Sequence, residues 1–248
     1  YKFDRLKQAE KLNPEQKQTR LMKELQNDLG LEHLPLRIEL FDNSHTAGTD
    51  AVAACVVFER LKPKKSLYRK YVLNSGSGPD DYASMQEVVR RRYTRLKNEG
   101  QPLPDLIIAD GGRGQMEVVR QVVHDELGLD IAIAGLAKDD RHRTRALLTG
   151  FPPAEVGLKA NSQLFRTLTQ MQDEVHRFAI KFHREKRAKR LTDSELDHTP
   201  GVGPATRQKL LAAFKTVRRM KAASADELKQ AVGQAKGAQL YALWHAPQ

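Results

Sequence analysis

The chain has 248 residues, enough for one large or two modest domains with a real buried core. Lys and Arg total 42 against 31 Asp and Glu, so the formal charge is +11, which points to an anionic partner, nucleic acid first and an acidic membrane surface second. No run approaches the roughly 18 apolar residues of a spanning helix, and no signal-peptide pattern opens the chain.

The single cysteine, Cys55 in AVAACVVF, excludes an internal disulfide and fits a reducing cytosol. Residues 1–30 are rich in Lys, Glu, Gln and Leu and predict helix, with Gly30 as its stop. After Pro35, RIELFD predicts a strand from Arg37 to about Phe41. AVAACVVFE is a second strand and SLYRKYVL a third, with Pro63 marking the turn between them. Three strands at such short spacing predict an antiparallel meander. NSGSGPDD reads as a loop. The helix after it is expected to begin near Ser84, with Ser84 and Glu87 at capping-box spacing and Met85, Val88, Val89, Tyr93 and Leu96 on its inner face.

LIIAD has the unbroken apolar run of a strand buried on both faces, and a helix follows from Gln115 to about Glu126. IAIAGLAK is a fifth strand, KDDRHRT a charged loop and RALLTG a short hairpin piece. A long helix is predicted from near Asn161 to about Lys186, striped by Leu164, Leu168, Met171, Val175, Phe178 and Phe182. Beyond the basic run KRAKR the strand signal ends, and short helices alternate with glycine turns. This order predicts an α/β chain: an RNase H-like mixed sheet flanked by helices over 36–190, a helical lead-in over 1–35, and a small all-α domain over 191–248.

Three aspartates fall at telling places. Asp42 follows the first strand in LFDNSH, Asp81 precedes the first helix after the meander in PDDYASM, and Asp110 follows the fourth strand in LIIADGGRGQ. Carboxylates at the ends of adjacent strands repel one another unless a cation sits between them, and hard oxygen ligands favour Mg²⁺ or Mn²⁺. The residues alone equally allow Asp110 to do no more than cap its glycine turn. At 100° per residue His176, in QDEVHRF, projects about 120° from the long helix's apolar stripe, with His183 on the same flank. There it is a metal ligand, a general base or a solvated flank histidine. Lys138, Arg141, His142 and Arg143 make a charged loop after the fifth strand, read either as phosphate contacts or as screened surface charge.

The tail DHTPGVGPATRQKLLAAF reads helix, Gly-x-Gly turn, helix. Gly201 and Gly203 permit the turn and Pro204 suits a first helical position, so the helix start offers N–H groups to a phosphate, helped by Arg207 and Lys209. This is the helix-hairpin-helix pattern of non-sequence-specific DNA binders. A second hairpin is expected around ELKQAVGQAKGAQLY, at Val232, Gly233 and Gly237, with its phosphate contact degenerate for want of a Gly-x-Gly. Val217, Leu228, Leu240 and Trp244 are assigned to a shared core.

FDNSH, DDYASMQEVVRRRYTRL, LIIADGGRGQ, LAKDDRHRT and DEVHRFAIKFHREKR resemble, in order, successive signature segments of UvrC, the nuclease subunit of bacterial nucleotide excision repair. The resemblance implies a divalent-metal-dependent DNA endonuclease that makes the 5′ incision beside a lesion, leaving 3′-hydroxyl and 5′-phosphate ends. Asp42, Asp110 and His176 match the family's catalytic residues, and Asp81 a further position important for that cut. The implied partners are lesion-bearing, bubble or nicked duplex DNA and UvrB. Asn43 and Arg113 depart from the family's usual isoleucine and lysine. Because imidazole suits Mn²⁺ better than Mg²⁺, Mn²⁺ is expected to support activity at least as well. The resemblance places the second nuclease domain, the cysteine cluster and the UvrB-binding hairpin upstream of Tyr1. An endonuclease V-like nuclease, which the tail disfavours, and an inactive DNA-binding module remain as alternatives.

Overall fold

The structure, a computed structural model, describes residues 13–44, 52–73, 81–141 and 143–245. The first twelve residues of the expected lead-in, most of the NSGSGPDD loop and His142 lie outside the described residues. The chain forms two compact units that divide between His183 and Arg184.

The first unit is built on one mixed sheet. Helix α1 (Pro14–Leu29) starts at Asn13, whose side chain and that of Gln16 cap each other's backbone, and stops at Gly30 in the left-handed conformation. Strands β1 (Arg37–Ser44) and β2 (Val52–Glu59) pair antiparallel. The expected third strand is two: β3 (Lys62–Pro63) and β4 (Arg69–Val72), both paired to β2 and separated by a 3-10 turn. The turn between β2 and β3 lies at Arg60 and Leu61, both at positive φ, and Pro63 sits inside β3 opposite Phe58 instead of marking the turn.

Helix α2 (Asp81–Asn98) begins three residues earlier than expected, so Ser84 is a buried first-turn residue and not a cap. Strand β5 (Leu106–Ala109) leads to α3 (Arg113–Arg120), which continues as a π-helical segment through Glu126. Strands β6 (Ala132–Lys138), β7 (Thr144–Thr149) and the unanticipated β8 (Ala154–Val156) complete the sheet. Its order is β3-β2-β1-β5-β6-β7-β8, with β4 also on β2. β5 runs parallel to β1 and to β6, and the remaining pairs are antiparallel. Helix α4 (Gln163–Asp197) is 35 residues long and continues well past its expected end near Lys186.

Strand alternation divides the core into two layers. Ile38 and Leu40 of β1 and Leu106 and Ile108 of β5 face Leu164, Leu168, Met171 and Val175 of α4 and Leu21, Leu25 and Leu29 of α1. Phe41, Ile107 and Ala109 face the other way, onto Val88, Val89 and Tyr93 of α2 and Val119 and Val122 beyond β5. A mixed sheet with a meander at one side, parallel central strands and helices on both faces is the RNase H-like arrangement the sequence predicts.

The second unit is helical. It comprises the end of α4, then α5 (Pro204–Phe214), α6 (Val217–Ala222), α7 (Ala225–Val232) and α8 (Gln234–Trp244). Leu196, Leu210, Val217, Met220, Leu228 and Leu240 are buried together, with Trp244 partly buried against them. Gly201, at φ +80°, makes the turn into α5, and Gly203 occupies its N-cap. Gly237 serves packing, since a Cβ there would stand 2.3 Å from the Lys229 backbone nitrogen.

Candidate active site

Register explains why two carboxylates meet. Ile38 pairs with Leu106 and Leu40 with Ile108 across the parallel β1–β5 ladder. Two residues further along each strand, on the same face, come Asp42 and Asp110. The Asp110 backbone N–H donates to Phe41 O at 2.9 Å, which holds the two strand ends side by side. That face is covered by α4, and α4 carries His176 one residue beyond the buried Val175. Nδ1–H of His176 donates to Asp42 Oδ2 at 3.2 Å. One ligand atom from each of Asp42, Asp110 and His176 lies within 4.8 Å of the others.

The electrostatics are those of a site short of positive charge. Asp42 is 5 % exposed and the Asp110 side chain is fully buried. Burial and the neighbouring Asp42 carboxylate push the Asp110 carboxyl above its ordinary value, against the pull of Lys138 and Gln172. Lys138 Nζ donates to Asp110 Oδ2 at 2.8 Å, and Gln172 Nε2 donates to Asp110 Oδ1 at 2.5 Å. The hydrogen bond to Asp42 raises the His176 imidazole above its usual value, with burial opposing it. Two carboxylates and an imidazole, with mutual repulsion that one ammonium only partly relieves, form a donor set that fits a divalent cation.

Gln172 was not among the residues the sequence singled out. Its amide is fixed in orientation: the Thr144 hydroxyl donates to Oε1, while Nε2 also donates to Leu136 O at 3.2 Å. It stands four residues before His176 and so on the same face of α4, which was the available signal.

The other candidates are placed differently. Asp81 is exposed at the start of α2, and its carbonyl accepts from Asn43 Nδ2 at 3.0 Å; the cluster of potential ligands among the described residues does not include it. Asn43 Oδ1 is buried without a hydrogen-bond partner among the described residues. Lys138, expected to face phosphates, is engaged with Asp110. Arg143 donates through Nε and Nη2 to one oxygen of Asp139, Oδ2, while Oδ1 accepts from the backbone N–H groups of Arg141 and Arg143. In the second unit Arg207 pairs with Asp193 at 2.5 Å and Asp197 at 2.9 Å, fastening α5 to the end of α4, and Lys209 is exposed. No helix among the described residues is long and apolar enough to cross a membrane.

Residues 26–180 match the family described as the UvrC RNAse H endonuclease domain. The chain is 62% identical over 236 residues to UvrABC system protein C of Bacteroides thetaiotaomicron, covering 95% of this chain and 39% of that protein. It is 61% identical over 236 residues to UvrABC system protein C of Bacteroides fragilis, with the same coverage of 95% and 39%. The chain thus spans about two-fifths of the length of these relatives. Among solved structures, Ciona intestinalis endonuclease V in complex with a 24mer DNA containing an inosine followed by a ribo-adenosine is 11% identical, aligns 68% of this chain with 95% of that one, and has a TM-score of 0.41, too loose a likeness to carry an argument. With more than half of its length matched by the family and its close relatives aligned across nearly all of it, the chain belongs to the UvrC RNase H endonuclease domain family.

Proposed function

We propose that the chain is a divalent-metal-dependent DNA endonuclease that makes the 5′ incision beside a lesion in nucleotide excision repair, acting on DNA presented by UvrB. The observation that carries this reading is the convergence of Asp42, Asp110 and His176 at the ends of β1 and β5 and on α4. Asp42 and Asp110 would hold a Mg²⁺ or Mn²⁺ ion, with His176 as third ligand or as base. When bound, such an ion activates water and stabilises charge on a phosphoryl oxygen.

The protein's own groups do the rest. Asp42 engages Nδ1–H of His176, which leaves Nε2 as the nitrogen able to coordinate or to take a proton. Gln172 and Lys138 each hold one oxygen of Asp110 and so fix the plane of its carboxylate. Lys138 and Arg143 line the cavity beside the site and, with Arg141 from the same loop, would meet the DNA backbone. The segments 36–190 and 191–248 would act as nuclease and helix-hairpin-helix DNA-binding domains. In the latter, the α5 N-terminus at Gly201 and Gly203 would receive a phosphate, with Lys209 and Arg207 beside it. The exposed Asp81 would support the cut from the start of α2.

The test compares wild type with Asp110→Asn on a bubble or nicked, lesion-bearing duplex, with UvrB supplied. The expected result is loss of Mn²⁺-dependent cleavage by a factor of roughly 100 or more, with salt-dependent DNA binding unchanged. An active wild type indifferent to the substitution would reduce Asp110 to a turn residue. A wild type that binds and never cuts would make the chain a DNA-binding module.

A further inference from the structure

Beside the carboxylate cluster lies a cavity of about 950 Å³ between α4 and the β6–β7 connection. One wall is a single face of α4: Phe165, Thr169, Gln172 and His176 fall within about 60° of one another and run about 16 Å along the helix. The opposite wall carries Lys138 and Asp139 from the end of β6 and Arg143, Thr144 and Arg145 from the start of β7. The Thr144–Gln172 hydrogen bond joins the two walls. The two arginine side chains are 68% and 54% exposed, each held by one carboxylate, Asp139 and Glu155. The groove is therefore graded: catalytic groups at one end, with Asp173 beside them, the partly buried Phe165 ring and Ala160 at the other, and carboxylate-paired guanidinium groups along the rim.

That grading matches a nucleotide chain, with anionic backbone toward the rim and a flat apolar base toward Phe165. The volume is that of a small-molecule site, which accommodates one or two nucleotides. A B-form duplex, whose major groove alone is about 12 Å wide, does not enter it. An aromatic platform beside cationic side chains is the general solution for single strands; here a backbone phosphate would take the place of Asp139 or Glu155 on the rim guanidinium groups. We propose that this groove binds the unpaired stretch of the cut strand next to the scissile phosphate, with one base against Phe165 and the backbone along Arg143 and Arg145. The proposal rests on the nuclease reading for its biological sense, but its binding chemistry is testable without cleavage.

The experiment is a double-mutant cycle read by fluorescence anisotropy in chelator, so that no cleavage occurs. The probes are a duplex with a short single-stranded thymidine tract, the same duplex with one abasic residue stepped through the tract, and a blunt duplex. Wild type is expected to favour the tract and to lose roughly tenfold in affinity when one particular base is removed. Phe165→Ala should lose a similar factor on the intact tract and become indifferent to that abasic position. Phe165→Trp should restore both the affinity and the sensitivity. Phe165→Leu, which preserves bulk packing, should behave like alanine and so separates stacking from folding. Losses that multiply in Phe165→Ala, an abasic scan without effect in wild type, or preference for the blunt duplex would each overturn the proposal. Failure of the nuclease reading would show separately, in the Asp110→Asn cleavage comparison.

Discussion

Replacing Lys138 by methionine keeps the aliphatic length and removes the ammonium that Asp110 faces. Lys138 Nζ lies 2.8 Å from Asp110 Oδ2, with Asp110 fully buried and the lysine side chain 28% exposed. A hydrogen bond to a charged group contributes about 1.5–3 kcal/mol, and solvent at the lysine puts this one near the lower end, about 1.5 kcal/mol. The metal-free variant should therefore melt about 3–6 °C below wild type. Added Mn²⁺ should act in the opposite direction. The ammonium no longer competes for Asp110, so the ion binds the variant more tightly, raises its melting temperature more than that of wild type, and narrows the gap. The assay is thermal unfolding across an Mn²⁺ titration, with chelator as the zero point. A gap that is the same at every Mn²⁺ concentration would show that lysine and metal do not share Asp110, and the placing of the ion between the aspartates would fall with it.

Two further outcomes follow from the same geometry. The His176 pKa is raised above its ordinary 6.5 by Asp42, so its stabilising contribution is fully present below about pH 6.5 and is lost as the pH climbs through the raised value. NMR titration of the imidazole should show a midpoint that drops in Asp42→Asn, and Mn²⁺ affinity should rise over the same window as the proton leaves; an unmoved midpoint would uncouple the pair. Arg92→Leu leaves the fully buried Glu39 with Arg37 and the Tyr93 hydroxyl, and should cost about 3 kcal/mol, the lower end for a broken buried pair, in denaturant unfolding. A loss below about 1 kcal/mol would mean that Arg37 and Tyr93 neutralise Glu39 unaided.

The sheet was legible because its central strands are buried on both faces and therefore spelled as unbroken apolar runs, as in LIIA and AACVV. Helix α4 was legible over its apolar stripe and not beyond, because KRAKR is a solvated helical surface whose composition equally suits a linker. The two-residue β3 and three-residue β8 are too short for periodicity, and non-glycine residues at positive φ at Arg60 and Leu61 carry no local signature. The aspartates and the histidine could be named from position and resemblance. Their supports could not be assigned: Lys138 was legible only as a phosphate contact, since it meets Asp110 because β6 lies beside β5, and Gln172, at helical spacing from His176, is no usual metal ligand and gains meaning only once Asp110 is known to face α4.

Strand β1 carries two buried carboxylates three residues apart, and alternation sends them to opposite faces of the sheet. Burial pushes the Glu39 carboxyl upward, yet Arg92 and Arg37 hold it below its ordinary value. Arg92 grips both of its oxygens at 2.7 and 3.1 Å, and Tyr93 Oη donates at 3.1 Å. That carboxylate is satisfied, and its work is to tie β1 to α2. On the other face Asp42 and Asp110 are buried almost as deeply, with Lys138 and a half-exposed imidazole as the cationic partners at the cluster, and Asp110 is left above its ordinary value. The same strand therefore contains its own control: on the structural face a carboxylate gripped by two guanidinium groups, and on the face that α4 closes a carboxylate beside Asp110, where Lys138 only partly offsets the charge. A folded chain tolerates such a deficit where something else supplies the charge, and under the proposed function a divalent ion against a phosphate would supply it at the ends of β1 and β5.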